Sequence, residues 1–463
     1  MTKRITLFIA VLTSFLAAAA QTAEDSVYVF LNDQPDGGYF LPAPPDTCSA
    51  DFTDDMLQWQ WGKTQRSTPR GQQASRESQW TKHVMRYVMA QALQLDTISP
   101  EATPAICHLV DKTYNTTNLS TKHPKEKYMR IRPFARMNEH LWAAYEWYDE
   151  AFYRGNGSYP SGHTAFGFGT ALVMAEMWPE LQDTILRRGF QFGENRIITG
   201  AHWQSDVSAG YLCAAASVAR LHNSEHFRKD LLAARAEYAR LKGLPKKYSV
   251  PADLPLPDAR RFLNPPVDTT HYRYLGDVQR YWNAKQRAGS ERLQQAIADA
   301  DKSMNYVTAM YNKALGIEIT LEGTPAIYSM LKTVRDSCRH ASWKIKSQYF
   351  RTRPFVRFGE QTAVPEDEAS HRYDSSFVSN HTNIGWGLAL ALAEMAPECQ
   401  NEVLRIGYEY GYSRLILCYH WASDIDAARL VASAVMAHLH ATPDFYQLMD
   451  KARREYRKMR NEK

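Results

Sequence analysis

One feature limits the possible folds more than any other: the 463-residue chain repeats itself at a spacing of about 220 residues. Thr103-Pro104-Ala105-Ile106 returns as Thr324-Pro325-Ala326-Ile327, and Arg132-Pro133-Phe134 as Arg353-Pro354-Phe355, both 221 residues on (324 − 103 and 353 − 132). Ala175-Glu176-Met177 and His202-Trp203 return as Ala393-Glu394-Met395 and His420-Trp421, 218 residues on (393 − 175 and 420 − 202). A period this long means duplicated domains, not a solenoid of short repeats. Whatever one half folds into, the other must fold into as well.

The halves read as helical. Asp183 to Phe192, Val207 to Leu221, Ser290 to Leu315, Ala326 to Arg339 and Arg429 to His438 carry apolar residues three and four apart. Alternating strand patterns are scarce, and Pro and Gly cluster between the helical runs. The expected fold class is therefore all-α, with two tandem helical-bundle domains. The expected division is residues 21–242 for the first domain, 243–258 for a Pro-rich extended linker and 259–463 for the second. Pro42-Ala43-Pro44-Pro45 and Asn264-Pro265-Pro266 look like matching entry segments.

Ahead of these lies Lys3-Arg4, an apolar run from Ile5 to Leu16, and four alanines at 17–20. Residues 1–20 read as a secretory signal peptide, which places the mature chain in the periplasm or outside the cell. No later segment is apolar over 18 residues, so no membrane span is expected. A net charge of +5 without a large basic block argues against nucleic-acid partners. The mixed-charge end, Lys451 to Lys463, reads as a solvated helix terminus. Six cysteines, none in a CxxC pair, give no zinc signature. Cys213 and Cys418 read as core residues in helical sequence, and no disulfide is assigned.

Three polar motifs recur in order. In the first half they are Lys125 with Arg132, then Pro160-Ser161-Gly162-His163, then Arg196 with His202 and Asp206. His202 and Asp206 are four residues apart and share a helix face. A carboxylate there can take the proton of one imidazole nitrogen and leave the other as a nucleophile. Ser161 suits a helix N-cap, and a helix start with a glycine presents open N–H groups to an anion. Two arginines and a lysine add the positive charge a phosphate needs, the arginines through a two-pronged fork. Each feature alone is commonplace on protein surfaces. Together they hold what phosphoryl transfer requires: positioning, and neutralisation of oxygen charge. The second half repeats the set as Lys346, Arg353, Ser379, His381, Arg414, His420 and Asp424.

These motifs resemble the signature of the type 2 phosphatidic acid phosphatase and vanadium haloperoxidase superfamily, and most closely its soluble branch, the bacterial class A non-specific acid phosphatases. The likeness covers most of both halves, including Tyr128 to Phe134, Asn156 to Tyr159 and His202-Trp203-Gln204-Ser205-Asp206. It implies hydrolysis of small phosphate esters through a phosphohistidine intermediate, with no cofactor and no metal. His202 would be the nucleophile, Asp206 its orienting carboxylate and His163 the general acid and base. Lys125, Arg132, Arg196, Ser161 and Gly162 would bind phosphate. One departure is Asn195, where the family usually carries Ser before the motif arginine; it can still donate a hydrogen bond.

The second copy departs further, with Val378-Ser379-Asn380-His381 in place of the Pro-Ser-Gly-His run. Asn380 is the least costly replacement if that backbone position has positive φ. By the same likeness His420, His381 and Asp424 are the second catalytic set, with Lys346, Arg353, Ser379, Asn380 and Arg414 on phosphate. Alternatives at this stage are a vanadate-dependent haloperoxidase, a soluble lipid-phosphate phosphatase or pyrophosphatase, and a second half that is a non-catalytic unit packed on the first. In the family such units associate, so the two halves are expected to pack as a pseudo-dimer. The loops from Met137 to Arg154 and from Gln361 to Asp374 are expected to set specificity. Trp142, Tyr145, Trp147 and Tyr148 are candidates for stacking on a ring of the substrate.

Overall fold

The structure is a computed structural model, and it describes residues 26–143, 150–245, 249–251, 253–287 and 289–461. The signal-peptide segment, Tyr145, Trp147 and Tyr148 lie outside the described residues. Among the described residues the chain is helical throughout, with no strand. In the first half we name α1 (Gly37–Phe40), α2 (Asp51–Gln65), α3 (Pro69–Arg76), α4 (Lys82–Ala92), α5 (Pro104–Leu119), α6 (Lys122–Tyr128), α7 (Gly162–Met177), α8 (Gln182–Ile198), α9 (Gln204–Leu221) and α10 (Glu225–Leu241). The second half supplies α11 (Ala259–Phe262), α12 (Tyr274–Arg287), α13 (Ser290–Ala298), α14 (Met304–Leu315), α15 (Pro325–Lys346), α16 (Asn380–Met395), α17 (Gln400–Ile416), α18 (Ala422–His440) and α19 (Pro443–Asn461).

The two sets correspond one to one except at one place. α5 and α6 are separate helices, whereas their counterpart α15 runs unbroken. Pro124 explains this: it lacks an N–H and its ring crowds the carbonyl four residues back. Ile345 occupies the equivalent place in α15 (345 − 124 = 221).

The expected single helix from Ser290 to Leu315 is instead α13 and α14, with 299–303 between them. Asp299, Asp301 and Ser303 hold hydrogen bonds that compete with helix there, Ser303 accepting from the Tyr306 amide as the cap of α14. The break also turns the Ala300 carbonyl toward His381. Cys418 is not helical either. It lies past the end of α17 with φ +66°, matching Gly200 at φ +78° in the first half. All six cysteines are free. The chain end is more than a solvated terminus, because Met449, Ala452, Arg453 and Tyr456 on α19 are buried.

Helices α7 and α16 form the centres of their halves. Every residue of α7 is buried, and so is all of α16 except Asn380. One hydrophobic cluster runs through both, taking in Phe40, Val173 and Leu212 together with Trp386, Leu390 and Val435. The halves meet where α7 packs on α18, α9 on α16, and α2 on α12. Reciprocal arms lock this contact. The Asp36 amide of the first half donates to Asn401 of the second at 2.8 Å, and the Asp258 amide of the second donates to Asp183 of the first at 2.9 Å. Behind each capping Asp, a four-residue helix buries Phe40 or Phe262. The repeat markers Glu176 and Glu394 also lie at this seam. Glu176 accepts from His222 at 2.9 Å and Glu394 from His440 at 2.5 Å, and the two imidazole rings are 3.8 Å apart.

Candidate active site

His202 precedes α9, and its side chain is fixed from both ends. Arg132 Nη1 lies 2.9 Å from Nε2. Because an arginine only donates, Nε2 must be the bare nitrogen and Nδ1 must carry the proton. Nδ1 faces Asp206 Oδ2 at 3.4 Å. The same Asp206 oxygen accepts from the Trp203 amide at 2.9 Å, so the carboxylate closes the start of α9 while it orients the ring. Burial pushes Asp206 up, but Arg130 and His202 outweigh it and hold the carboxyl well below the usual range. Burial and then Arg132 hold the His202 imidazole well below its ordinary value.

His163 is the second residue of α7, behind the N-cap Ser161. Its Nε2 donates to the Ser78 carbonyl at 3.0 Å, which leaves the buried Nδ1 without a partner. Arg196 Nη1 donates to the same carbonyl at 3.1 Å, and the Arg196 carbonyl accepts from the His202 amide. Burial first, then Arg196 and His202, lower the His163 imidazole well below its ordinary value. Lys125 points its ammonium at the carbonyls of Gly157 (2.7 Å) and Ser158 (3.4 Å), and burial followed by Arg132 holds it far below the lysine range. Ser161 Oγ accepts from the Thr164 amide, so its own hydrogen remains to be donated. All seven side chains are buried, and they act on one another electrostatically. Distant segments thus bring three cations together with two imidazoles that are held below their ordinary range.

The second half repeats the arrangement. Arg353 Nη1 donates to His420 Nε2 at 3.1 Å, and His420 Nδ1 lies 3.6 Å from Asp424 Oδ2. His381 Nε2 donates to the Ala300 carbonyl at 3.0 Å. Lys346, Arg353, Asn380, His381, Arg414 and His420 line one cavity of about 290 Å³. Ser379 caps α16 beside it, accepting from the Thr382 amide. Burial and Arg353 bring Lys346 down to about 7 and Arg414 to about 10.

The glycine in the first Pro-Ser-Gly-His run is not there for positive φ: Gly162 and Asn380 are both the first residue of their helices. Space decides instead. A Cβ on Gly162 would come within 3.0 Å of Asn118 Oδ1 and 3.2 Å of the Trp80 ring. Asn195 does donate, to Glu77 at 2.9 Å, while Ser413 returns to the serine pattern and donates to Asp299. Trp142 is exposed.

Two residues in each half escaped the motif reading. Arg130 bridges Asp206 and Asp55 at 2.6 Å each, and Asp55 also accepts from the Ser205 amide and hydroxyl. Arg351, Asp277 and Ser423 do the same around Asp424. The signal was present in the repeat, since Asp55 and Asp277 are 222 apart and Arg130 and Arg351 are 221 apart. A third is Asp374, whose carboxylate forks onto Arg353 at 2.6 and 3.0 Å, where the first half has Asn156.

Among known proteins the chain is 37% identical to a non-specific acid phosphatase of Providencia stuartii over 204 residues, 44% of this chain and 82% of that protein. It is 38% identical to a non-specific acid phosphatase of Salmonella typhimurium over 195 residues (42% and 78%), and 31% identical to an acid phosphatase of Zymomonas mobilis over 203 residues (44% and 77%). Each of these relatives corresponds to one half of the chain. The PAP2 superfamily domain matches twice, over residues 113–230 and 329–446. Two helical units with the same converging motifs, each matched by the same domain, make this chain a tandem member of the PAP2 superfamily.

Proposed function

We propose that the chain is an exported acid phosphatase that hydrolyses small phosphate monoesters through a phosphohistidine. The observation that carries this reading is the state of His202: Arg132 donates to Nε2 while Asp206 faces Nδ1, so the nucleophilic nitrogen is bare and aimed at a cationic pocket. A bound phosphate would draw Arg132, Lys125, Arg196 and the Ser161 hydroxyl and Gly162 amide onto its oxygens. His202 Nε2 then forms the N–P bond as the bond from phosphorus to the ester oxygen breaks. That oxygen takes its proton from His163 Nδ1, whose other nitrogen is committed to Ser78. In the second step His163 accepts a proton from water, the oxygen attacks phosphorus, and the N–P bond breaks.

His163 must carry a proton to act as the acid. Burial, Arg196 and His202 disfavour this, and the charge of an incoming phosphate favours it. Mildly acidic pH supplies the proton, in keeping with relatives that are acid phosphatases. The signal-like segment at residues 1–20 supports export to the periplasm or beyond.

Residues 21–242 and 259–463 are read as two phosphatase units joined by 243–258, and the reciprocal arms support their reading as a tethered pseudo-dimer. The purified chain is expected to release p-nitrophenol from p-nitrophenyl phosphate at mildly acidic pH. An acid-labile, base-stable phosphoenzyme is expected in the wild type and not in the His202→Ala, His420→Ala double variant. Undiminished release by that double variant overturns the reading. The two single variants apportion turnover between the sites.

A further inference from the structure

The two pockets share their catalytic motifs but not their walls. In the first half, Trp80 stands edge-on to His163 with ring centres 4.9 Å apart, and Tyr114 lies on Phe166 at 4.1 Å. Asn118 closes the same side against Gly162. The equivalent positions in the second half are Lys302 (302 − 80 = 222), Arg335 (335 − 114 = 221) and Arg339 (339 − 118 = 221), and all three line the second cavity. Trp, Tyr and Asn in one copy are thus Lys, Arg and Arg in the other, where Trp343 also lines the cavity.

These cations are not spent on structure. Lys302 and Arg339 are exposed and pair with no carboxylate among the described residues, and Arg335 meets only its neighbour Asp336, at 3.3 Å. Deeper in the cavity the Arg414 side chain is buried with Nε and Nη1 unpartnered, and the Asn380 amide oxygen is buried and unpartnered too. The single carboxylate of the lining, Asp374, is held by Arg353. That leaves Lys302, Arg339 and Arg414 without a carboxylate partner around a cavity of about 290 Å³, with Arg335, paired to Asp336, and Lys346, on the Ser375 carbonyl, beside them. One phosphate monoester, with a charge of at most about −2, leaves part of this set unmet. Like charges crowded round a cavity repel unless a polyanion lies among them.

We propose that the second site takes a ligand carrying several phosphate groups close together. The proposal rests on reading both copies as phosphate sites. One phosphate would sit at Arg353, Arg414 and His420, and the others would reach out to Lys302, Arg335 and Arg339. A linear polyphosphate and a polyol bearing several phosphates share this chemistry.

Calorimetric titration of the full chain tests it with orthophosphate, tripolyphosphate and inositol hexakisphosphate as probes. One site per chain is expected to bind at least one of the polyanions ten or more times more tightly than orthophosphate, the advantage shrinking as salt screens the charges. Whichever polyanion gains it tells the two sources apart. The Lys302→Gln, Arg339→Asn variant, altered only at exposed side chains, is expected to lose most of that advantage, and Arg339→Asn alone part of it. Equal affinity for orthophosphate and both polyanions overturns the proposal, as does an undiminished preference in a double variant that melts like the wild type. Release of p-nitrophenol in the same preparation separates the two levels. If it proceeds, failure belongs to this proposal alone; if it is absent and orthophosphate does not bind, the phosphatase reading falls with it.

Discussion

His163 shows how one hydrogen bond assigns a role. With Nε2 donating to Ser78, Nδ1 is the only nitrogen able to exchange a proton with a ligand. The benefit of that proton depends on how poor a leaving group the ester carries. His163→Asn is therefore expected to slow hydrolysis of alkyl phosphates by about 10²–10⁴-fold. The first step with p-nitrophenyl phosphate should suffer far less, because p-nitrophenolate departs unprotonated. Burst kinetics that isolate phosphoenzyme formation measure this, and an equal loss on both ester types would assign the residue a structural role. Arg130 acts one layer back. Its buried ion pairs with Asp55 and Asp206 hold the carboxylate that faces His202 Nδ1.

At the scale of elements, the start of α7 is the most demanding piece of the molecule. Ser161 caps it, Gly162 opens it and His163 follows within the first turn. The second copy tolerates Asn380 at the glycine position because Lys302 and Arg339, both exposed, stand where Trp80 and Asn118 press on Gly162. Gly162→Asn forces a side chain into the filled space, at a cost of about 1–3 kcal/mol. The expected outcome is a tenfold or larger drop in kcat/KM for the first site, measured in a His420→Ala background, whereas Asn380→Gly leaves the fold intact. A Gly162→Asn enzyme with unchanged kcat/KM would show that the wall yields more readily than its packing suggests.

At the scale of the whole molecule, the halves share a core and exchange their N-terminal arms, so they are expected to unfold together. Phe40 is buried against Trp386 of the other half, the rings 6.3 Å apart. Phe40→Ala is expected to cost about 3–5 kcal/mol and to shift one cooperative transition, followed by calorimetry, without splitting it. Two separated transitions would mean that the arms matter less than the linker.

Stability should also depend on pH through the buried histidines of the two sites. His163, His202, His381 and His420 are all held below their ordinary values by burial and neighbouring cations. The unfolded chain then binds more protons below about pH 6.5, so stability is full above that value and falls as pH drops through it. His222 runs the other way: burial lowers it, but Glu176 and Glu394 outweigh this and raise it, so its contribution is lost as pH rises. Phosphate favours the charged imidazoles. At 100 times its dissociation constant it adds about 2.7 kcal/mol, and its gain in Tm at a fixed concentration should be larger at pH 5 than at pH 7. Equal gains at both would separate anion binding from imidazole protonation.

Much of this was written in the chain. The repeat, the helical periodicity and the spacing of Lys125, Arg132, His163, Arg196, His202 and Asp206 are local patterns, and local patterns survive in one dimension. Helix positions were legible but not their ends: α8 runs on to Ile198, α15 to Lys346 and α18 starts at Ala422, well beyond the periodic stretches, and 299–303 interrupts a helical pattern to present the Ala300 carbonyl. Asp55, Trp80 and Ser78 were not legible as site residues, because each reaches the pocket from a segment without a motif of its own. The exchange of Trp80, Tyr114 and Asn118 for Lys302, Arg335 and Arg339 likewise existed only as unrelated letters until tertiary packing laid them at equivalent places. Sequence fixes which groups are available and how often they recur. Which of them share one low-dielectric cavity, and therefore feel one another's charge, is decided only when distant helices pack.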